Sequence, residues 1–255
     1  MNLRLLLLTL AFTACANPNV PPPQPASVPA PSPIAEAVAA PDRSAEDKAL
    51  DAGRKPADLL SFADIKPGMK VAELGAATGY TTELLARVVG PTGKVYAQNS
   101  PMLLQMFAEK PLAARLQKPV NANVVRLDAD FDTPFPKDMH DLDAVIIVLF
   151  YHDTVWMKVN REAMNRAVIE ALKPGGRYII VDHSAIAGRG ADDAEKLHRI
   201  EESFVKEEVQ KVGFHFLRSS DFLRNPNDKR DWNASPKTAA DKRGTSDRFV
   251  MEFAR

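Results

Sequence analysis

The sequence contains a single cysteine and no excess of charge of either sign, and both shortages exclude classes of protein. With Cys15 alone, the chain cannot form an internal disulfide, and no further thiol is left for a metal cage or a nucleophile. Lys and Arg together number 33, the same as Asp and Glu, so no net field attracts a phosphate backbone. A nucleic-acid partner is therefore not expected, and a small molecule fits better.

The apolar run near the amino terminus is short. It covers residues 5–12, whereas a helix needs roughly 20 apolar residues to cross a bilayer. Arg4 precedes the run, and small residues lead to Cys15, which is the layout of an export signal and resembles a bacterial lipoprotein processing site. We therefore expect residues 1–14 to be a signal peptide and a lipid on Cys15 to be the only membrane attachment. The expected location is the periplasmic face of the outer membrane; the alternatives are an ordinary cleaved signal and an unprocessed cytoplasmic protein.

Proline is concentrated in the next segment. Nine of the twenty prolines fall between residues 17 and 41, mixed with Ala, Ser and Val. Such a composition favours an extended chain over a packed core. The sequence therefore predicts a tether over residues 15–41 and one folded domain over residues 42–255.

The folded part alternates short β-rich apolar runs with amphipathic stretches of helical spacing. Helices are predicted over residues 81–89, 153–172 and 193–212. Strands are predicted over residues 69–74, 94–98, 123–128, 144–150, 177–181, 214–218 and 248–253. This order predicts an α/β fold, a doubly wound, seven-stranded, mostly parallel sheet with an antiparallel C-terminal edge strand. The run at 144–150 is apolar enough to be its centre.

A glycine-containing turn follows the first predicted strand, at residues 73–79. Gly75 permits a tight turn, and Gly79 with the small residues between lets a ligand approach backbone N–H groups at the next helix. The alternative is a turn that serves only close packing. A nicotinamide-dinucleotide site is not expected, because Ala77 and Thr78 stand where glycines are required and Gln98 stands where an acid would bind the ribose.

These features resemble the class I S-adenosylmethionine-dependent methyltransferases over residues 44–255. The motifs that carry the resemblance lie at residues 71–80, 127–131, 143–150 and 172–177. The chain is more closely similar to bacterial proteins described as predicted methyltransferases. That likeness rests on Arg-Lys-Pro at 54–56, Tyr-His-Asp at 151–153, His-Arg-Ile at 198–200 and Ser-Asp-Phe-Leu-Arg-Asn-Pro at 220–226.

The resemblance implies S-adenosylmethionine as the cofactor and assigns residues to it. Its methionine part would lie against Glu73, Gly75, Ala76, Ala77 and Gly79. The ribose would lie near Gln98, and the adenine near Asp128 or Asp130. Members of the superfamily usually have glycine at the position of Ala77 and an acid at that of Gln98. Charge-assisted hydrogen bonds are roughly twice as strong as neutral ones, so the Gln98 amide would bond a ribose hydroxyl more weakly than an acid would.

Tyr151, His152 and Asp153 follow the fourth predicted strand and are the candidate catalytic residues. His152 has the chemistry of a general base, Asp153 that of a residue that orients it, and Tyr151 would shape the pocket. The alternative is that Asp153 only caps a helix and His152 lies on the rim. Asp182-His183, after the fifth strand, is a second candidate base.

Asp182 and Asp153 offer an alternative role as ligands of a divalent metal, as in some catechol-type members of the superfamily. No metal is expected, however, because the five histidines show no ligand spacing along the chain. His198 and Arg199 are expected to be solvated or ion-paired. We interpret the chain as a methyltransferase acting on an unidentified small-molecule acceptor. The alternative is a non-catalytic, exported binding or interaction module that keeps the methyltransferase fold.

Overall fold

The computed structural model describes residues 31–255, which form one seven-stranded sheet with helices packed on both faces. The predicted signal peptide, Cys15 and most of the predicted tether lie outside these residues. The strands are β1 (Lys70–Leu74), β2 (Lys94–Asn99), β3 (Val124–Asp128), β4 (Leu142–Val148), β5 (Leu172–His183), β6 (His215–Ser220) and β7 (Arg248–Ala254).

The strand order is β3-β2-β1-β4-β5-β7-β6. Strands β1 to β5 run parallel to one another, and β7 is antiparallel to both β5 and β6. The predicted fold class, including the antiparallel carboxyl-terminal strands, is therefore confirmed. The order reverses between β1 and β4, and this is where an open sheet of this kind places its ligand.

The predicted central strand is also confirmed. In β4, Val145 and Ile147 pack into the core on one face of the sheet, and Ala144 and Ile146 into the core on the other. Alternate residues of a strand point to opposite faces, so a strand that is covered on both sides must be apolar throughout.

Ten α-helical segments occur within residues 31–255. They are α1 (Pro33–Ala39), α2 (Ala45–Arg54), α3 (Pro56–Phe62), α4 (Tyr80–Val89), α5 (Pro101–Leu103), α6 (Glu109–Leu116), α7 (Asp153–Trp156), α8 (Arg161–Ala171), α9 (Ala194–Leu197) and α10 (Glu202–Lys211). A π-helical turn, Leu104–Ala108, joins α5 to α6, and 3-10 turns lie at Pro119–Asn121 and Ala240–Lys242. In the described range, no helix is both long and apolar enough to cross a bilayer.

Helix α1 corrects the predicted tether. The Ser32 side chain accepts a hydrogen bond from the Ala35 N–H, and Pro33 stands in the first turn, where its missing N–H costs nothing. Ala37 is buried in the core that includes helices α3 and α4. The folded unit begins at Ser32, ten residues earlier than expected.

Two predicted long helices are each broken into two. Lys158 has a φ of +57° and ends the first half of the 153–172 segment; α8 restarts behind Asn160, whose side chain accepts from the Ala163 N–H. His198 has a φ of +51° and divides the 193–212 segment. The second break matters for the site, because it turns the His198 segment towards β5.

Candidate functional site

Two groups of polar residues lie at the carboxyl ends of the central strands. The first surrounds the turn after β1 and is called the glycine-turn site. The second, the histidine cluster, consists of His152, Asp153, Asp182 and His198 and follows β4 and β5.

The glycine turn is shaped by a contact with the end of β4. Gly75 has a φ of +64°, and a Cβ atom at this position would lie 2.7 Å from the Phe150 ring. Gly79 has a φ of +83° and packs against Leu112 and Arg115. Glycine is thus required at position 75 for both its backbone conformation and its small size.

Side-chain amides already bond the turn's backbone. The Gln98 amide accepts from the Gly75 N–H at 3.0 Å and donates to the Ala129 carbonyl at 2.7 Å. Asn99 accepts from the Ala77 N–H at 2.8 Å and donates to the Ala77 carbonyl at 3.1 Å. The expectation that Gln98 faces a ribose does not fit this arrangement, because Gln98 is fully buried with both ends of its amide bonded. Sequence reasoning missed Asn99, which holds Ala77 at a φ of +51°.

Glu73 is a buried carboxyl at the end of β1, and its contact with the cofactor stays a prediction. Burial raises its pKa to about 7, although hydrogen bonds from Thr82 and Thr81 and the charges of Arg54 and Arg115 act in the opposite direction. The Glu73 carboxyl therefore changes its charge near neutral pH.

Arg54 and Arg248 line a narrow cavity whose wall also includes Thr81, a hydrogen-bond partner of Glu73. The volume of the cavity is about 10 Å³, about the size of one water molecule, and Tyr80, Leu149 and Val181 form other parts of its wall. Arg248 donates to the backbone carbonyls of Ser246 and Gly244. Among residues 31–255, neither guanidinium forms a salt bridge, which leaves two unpaired positive charges beside a largely apolar cavity.

The segment that covers the cavity is tied to α4 by polar contacts. The Tyr80 hydroxyl donates to Asp51 at 2.6 Å, and Arg43 forms two hydrogen bonds to the same carboxylate. The Arg54 guanidinium carbon lies 4.6 Å from the centre of the Tyr80 ring. Arg54 belongs to the Arg-Lys-Pro segment noted in the sequence, and these contacts place that segment over the end of the sheet.

The remaining predicted cofactor residues, Ala76, Asp128 and Asp130, lie at two different places in the fold. Ala76 is buried in the turn, whereas Asp128, the last residue of β3, and Asp130, two residues beyond it, are exposed. Asp128 already accepts a hydrogen bond from Arg126 at 2.6 Å. Contact of either acid with an adenine ring stays a prediction.

His152 is almost fully buried and is held by Asp182. One carboxylate oxygen of Asp182 accepts from the His152 backbone N–H and the other contacts ring Nδ1, both at 2.7 Å. Because an ionised carboxylate only accepts, Nδ1 carries the hydrogen and Nε2 is turned towards the rest of the cluster. Asp182, proposed from the sequence as part of a second base, instead orients the first.

Asp153 and His198 meet His152 on the Nε2 side. The Asp153 Oδ1 atom lies 3.2 Å from His152 Nε2 and 3.2 Å from His198 Nδ1, and the two ring nitrogens are also 3.2 Å apart. Trp156 donates to the same Asp153 oxygen at 2.7 Å. The alternative that Asp153 serves as a helix N-cap is not observed, because the N-cap of α7 is His152 and Asp153 is the first residue of the helix.

The charges around His152 affect its role as a base. Burial lowers its pKa, but Asp182 and Asp153 outweigh burial and raise the pKa to about 10. In the same cluster, burial raises the pKa of Asp153, but His152 and His198 hold it below the usual range. A general base must be unprotonated before it acts, so the base role of His152 stays a prediction.

Tyr151 and His183 differ from their expected roles. The Tyr151 side chain is buried in the core, where its hydroxyl contacts Glu208 at 3.1 Å and Asn165 at 2.9 Å, so it does not shape the pocket. His183 Nδ1 lies 2.7 Å from the Ser246 hydroxyl, and burial lowers the pKa of His183 well below its ordinary value. His183 is thus neutral and packs beside His152.

Arg199 is ion-paired, which was one of the two expected states, but the pair is buried instead of lying on the surface. It is completely buried, and its guanidinium lies 2.9 Å from Asp228. His198, by contrast, is three-quarters buried and faces His152. The linear spacing of histidines gave no sign of this cluster, because His152 and His198 are 46 residues apart along the chain and meet only through the sheet.

Comparison with known proteins gives matches to methyltransferases. Residues 41–138 match the family model for protein-L-isoaspartate (D-aspartate) O-methyltransferase. A ubiquinone/menaquinone biosynthesis C-methyltransferase of Ectopseudomonas mendocina is 30% identical over 127 residues, 49% of this chain and 46% of the relative. The protein-L-isoaspartate O-methyltransferase of Pyrococcus horikoshii is 32% identical over 132 residues, 51% and 52% of the two chains. The chain thus spans about half the length of the curated relatives it matches.

Solved structures match over most of the fold. A SAM-dependent methyltransferase from Aquifex aeolicus has a TM-score of 0.57 at 17% identity, covering 82% of this chain and 96% of the other. An S-adenosylmethionine-dependent methyltransferase from Mesorhizobium loti has a TM-score of 0.54 at 17% identity, covering 81% and 100%. At these identities the likeness shows the fold. Together with the matched relatives, it indicates S-adenosylmethionine as the cofactor and does not favour a non-catalytic module.

Proposed function

We propose that this chain, which has the fold of the class I S-adenosylmethionine-dependent methyltransferases, transfers a methyl group to a small-molecule acceptor. The observation that carries the proposal is the glycine turn after β1, with the buried Glu73 carboxyl and, close to it, the Arg54 guanidinium, which forms no salt bridge within residues 31–255. All three lie at the carboxyl ends of the central strands, where a fold of this kind binds its ligand.

The residues at this edge fit the amino acid end of the cofactor. That end carries an ammonium and a carboxylate, and Glu73 and Arg54 offer the two opposite charges. Arg248 adds a second cation on the same cavity wall. Glu73 would hold the ammonium, and Arg54 would hold the carboxylate.

Binding requires the cavity to open. Ligand pockets are typically about 300–1,000 Å³, whereas this cavity measures about 10 Å³. The wall that carries Arg54 is held by the contacts of Tyr80 and Arg43 with Asp51. We therefore propose that the α2 segment moves away from the sheet when the cofactor enters.

The acceptor would bind at the histidine cluster. His152 and Asp153 follow β4, which lies beside β1 in the sheet, and Phe150 contacts the glycine turn. The cofactor supplies a methyl group activated on a sulfonium, so the chain mainly has to place the acceptor in line with it. The neutral balance of charge supports a small acceptor rather than a nucleic acid.

The test begins with the purified full chain. Calorimetry with S-adenosylmethionine and S-adenosylhomocysteine should give micromolar binding, and NAD should give none. Transfer of a labelled methyl group to a panel of phenols, thiols and amines should then reveal a product. His152→Ala should lose this transfer while keeping cofactor affinity, whereas His215→Ala, which alters an exposed histidine on β6, should keep both. A full chain that binds neither sulfur compound would overturn the proposal.

We also propose that the protein is exported and lipid-anchored. The support is the short apolar run, the small residues after it and Cys15. Palmitate labelling of cells that express the full chain should mark the protein, and Cys15→Ala should abolish the label. Equal labelling of the two proteins would contradict the anchor.

A further inference from the structure

Three potential ligand atoms converge in the histidine cluster. His152 Nε2, Asp153 Oδ1 and His198 Nδ1 are each 3.2 Å from the other two. The side chain of His152 is 3% exposed, that of Asp153 14% and that of His198 25%, so solvent reaches the cluster from the His198 side. A nearly enclosed set of two imidazoles and one carboxylate differs from the exposed acidic groups common on protein surfaces.

The spacing fits a bound ion. A tetrahedral Zn²⁺ with bonds of about 2.0 Å holds neighbouring ligand atoms about 3.3 Å apart. The observed triangle has this size on all three edges. From this geometry we infer that His152, Asp153 and His198 bind a divalent transition-metal ion, of which Zn²⁺ is the best fit.

The groups around the triangle support this role. A metal-binding histidine usually donates its other ring N–H to a carboxylate, which fixes the ring and its tautomer. Asp182 does this for His152, with a second hydrogen bond to the backbone of the same residue. Trp156 donates to Asp153, so the carboxylate is also fixed in place.

The His198 segment is fixed to the sheet independently. The Ile200 N–H donates to the His183 carbonyl, and the Ala185 N–H donates to the Ile200 carbonyl, both at 2.9 Å. Buried Arg199 donates to the Ser184 carbonyl and pairs with Asp228. The third ligand is therefore held beside the first two by main-chain hydrogen bonds at the end of β5.

The charges also balance. A divalent ion would be matched by the carboxylate of Asp153, a ligand, and by that of Asp182, the hydrogen-bond partner of His152. The guanidinium of Arg199 pairs with Asp228 and that of Arg248 donates to backbone carbonyls, so neither is matched to these two carboxylates. Buried charges are normally paired or coordinate a metal.

Three protein ligands leave the fourth position of a tetrahedral ion for water or another oxygen, nitrogen or sulfur atom. If the proposed function holds, this position would take the acceptor atom, and the ion would favour its deprotonated form, with the proton released to solvent before the methyl group is transferred. This assignment rests on the proposed function, whereas binding of the ion does not.

The test measures metal binding directly on the full chain. After treatment with a chelator, the protein is titrated with Co²⁺ by visible absorption and with Zn²⁺ by calorimetry. We expect one ion per chain, with the intense absorption bands of tetrahedral Co²⁺. His198→Ala and Asp153→Asn should each weaken binding at least 100-fold, and Asp182→Asn should weaken it about 10–100-fold.

His215→Ala provides the matched control, and thermal unfolding of each variant checks that it is folded. Unchanged affinity in folded His198→Ala would overturn the inference, as would a wild-type chain that binds neither ion. The latter would mean that the cluster only forms hydrogen bonds and ion pairs. Since no methyl donor is present, failure here is distinct from failure to bind S-adenosylmethionine.

Discussion

Asp182 binds His152 twice, through the backbone N–H and through ring Nδ1, with both contacts at 2.7 Å. The carboxylate also accepts from the His183 backbone N–H at 2.7 Å. One completely buried side chain therefore connects the end of β5 to the segment that follows β4. The position of the His152 ring depends on this side chain.

Replacing Asp182 by asparagine should destabilise the protein. The amide group brings hydrogens to a position surrounded by N–H donors, so at least one buried donor loses its acceptor. We expect the free energy of unfolding to fall by about 2 kcal/mol, measured with urea. Asp143→Asn is the control, because Asp143 accepts from the Lys70 backbone at the opposite end of the sheet and is partly exposed. Equal losses in both variants would contradict a special role for Asp182.

Glu73 should make stability depend on pH. Its pKa is raised from 4.5 to about 7 in the folded chain, mainly by burial. Between these two pH values the folded state keeps a proton that the unfolded state releases, so stability falls as pH rises and levels off above 7. The free energy of unfolding is thereby lower above pH 7 than below pH 4.5 by about 3 kcal/mol.

Glu73→Gln removes this dependence. Thermal unfolding at pH 5 and pH 8 should show that the variant gains stability relative to wild type at the higher pH. A difference between the two proteins that is the same at both pH values would show that Glu73 ionises normally. Thr81, Thr82, Arg54 and Arg115 surround the carboxyl and are unchanged in the comparison.

Arg54→Gln should weaken the binding of S-adenosylmethionine about tenfold or more, because a charge-assisted hydrogen bond is lost. Methylthioadenosine lacks the amino acid end, so its affinity should not change. Calorimetry with both ligands separates a lost carboxylate contact from general damage to the site. Arg166→Gln, at an exposed ion pair on α8, is the control. A similar loss of affinity for both ligands would mean that Arg54 does not contact the amino acid end of the cofactor.

Gly75→Ala should cost more stability than Gly175→Ala. Both glycines have positive φ, +64° and +74°, but a Cβ atom at 75 meets the Phe150 ring while none of the surrounding atoms lies within 4 Å at 175. The shared backbone cost is about 1–2 kcal/mol, and overpacking adds about 1–3 kcal/mol at Gly75. Urea unfolding of the two variants gives the difference directly. Equal values would mean that Phe150 can move aside.

The sheet could be predicted because its signals are local. Continuous apolar runs and glycine turns determine β1 and β4, and the helix between β1 and β2 ends at Gly90 as expected. The two long helices were predicted wrongly, because contacts with distant parts of the chain break them. The Asn160 N–H donates to the Asp132 carboxylate, and the Ile200 N–H donates to the His183 carbonyl. The hydrophobic periodicity of a single segment carries no information about such long-range contacts.

The site was only partly predictable for the same reason. Glu73, Gly75 and His152 could be located because they lie within or just after the carboxyl ends of β1 and β4. The role of Asn99 depends on Ala77, 22 residues away, and that of His198 on a bridge to β5. Proline content hid α1, although Ser32 and Pro33 are a good helix start.

The two sites belong to different halves of the chain. The glycine turn lies within residues 41–138, the part that matches the isoaspartate methyltransferase family, whereas every member of the histidine cluster lies beyond it. Under the proposed function, substitutions in the histidine cluster would change contacts with the acceptor and leave the glycine turn itself unaltered. A chimaera joined between β3 and β4 would exchange the acceptor side of the sheet, provided that Phe150 and Arg248, which reach the glycine-turn site from the second part of the chain, are kept.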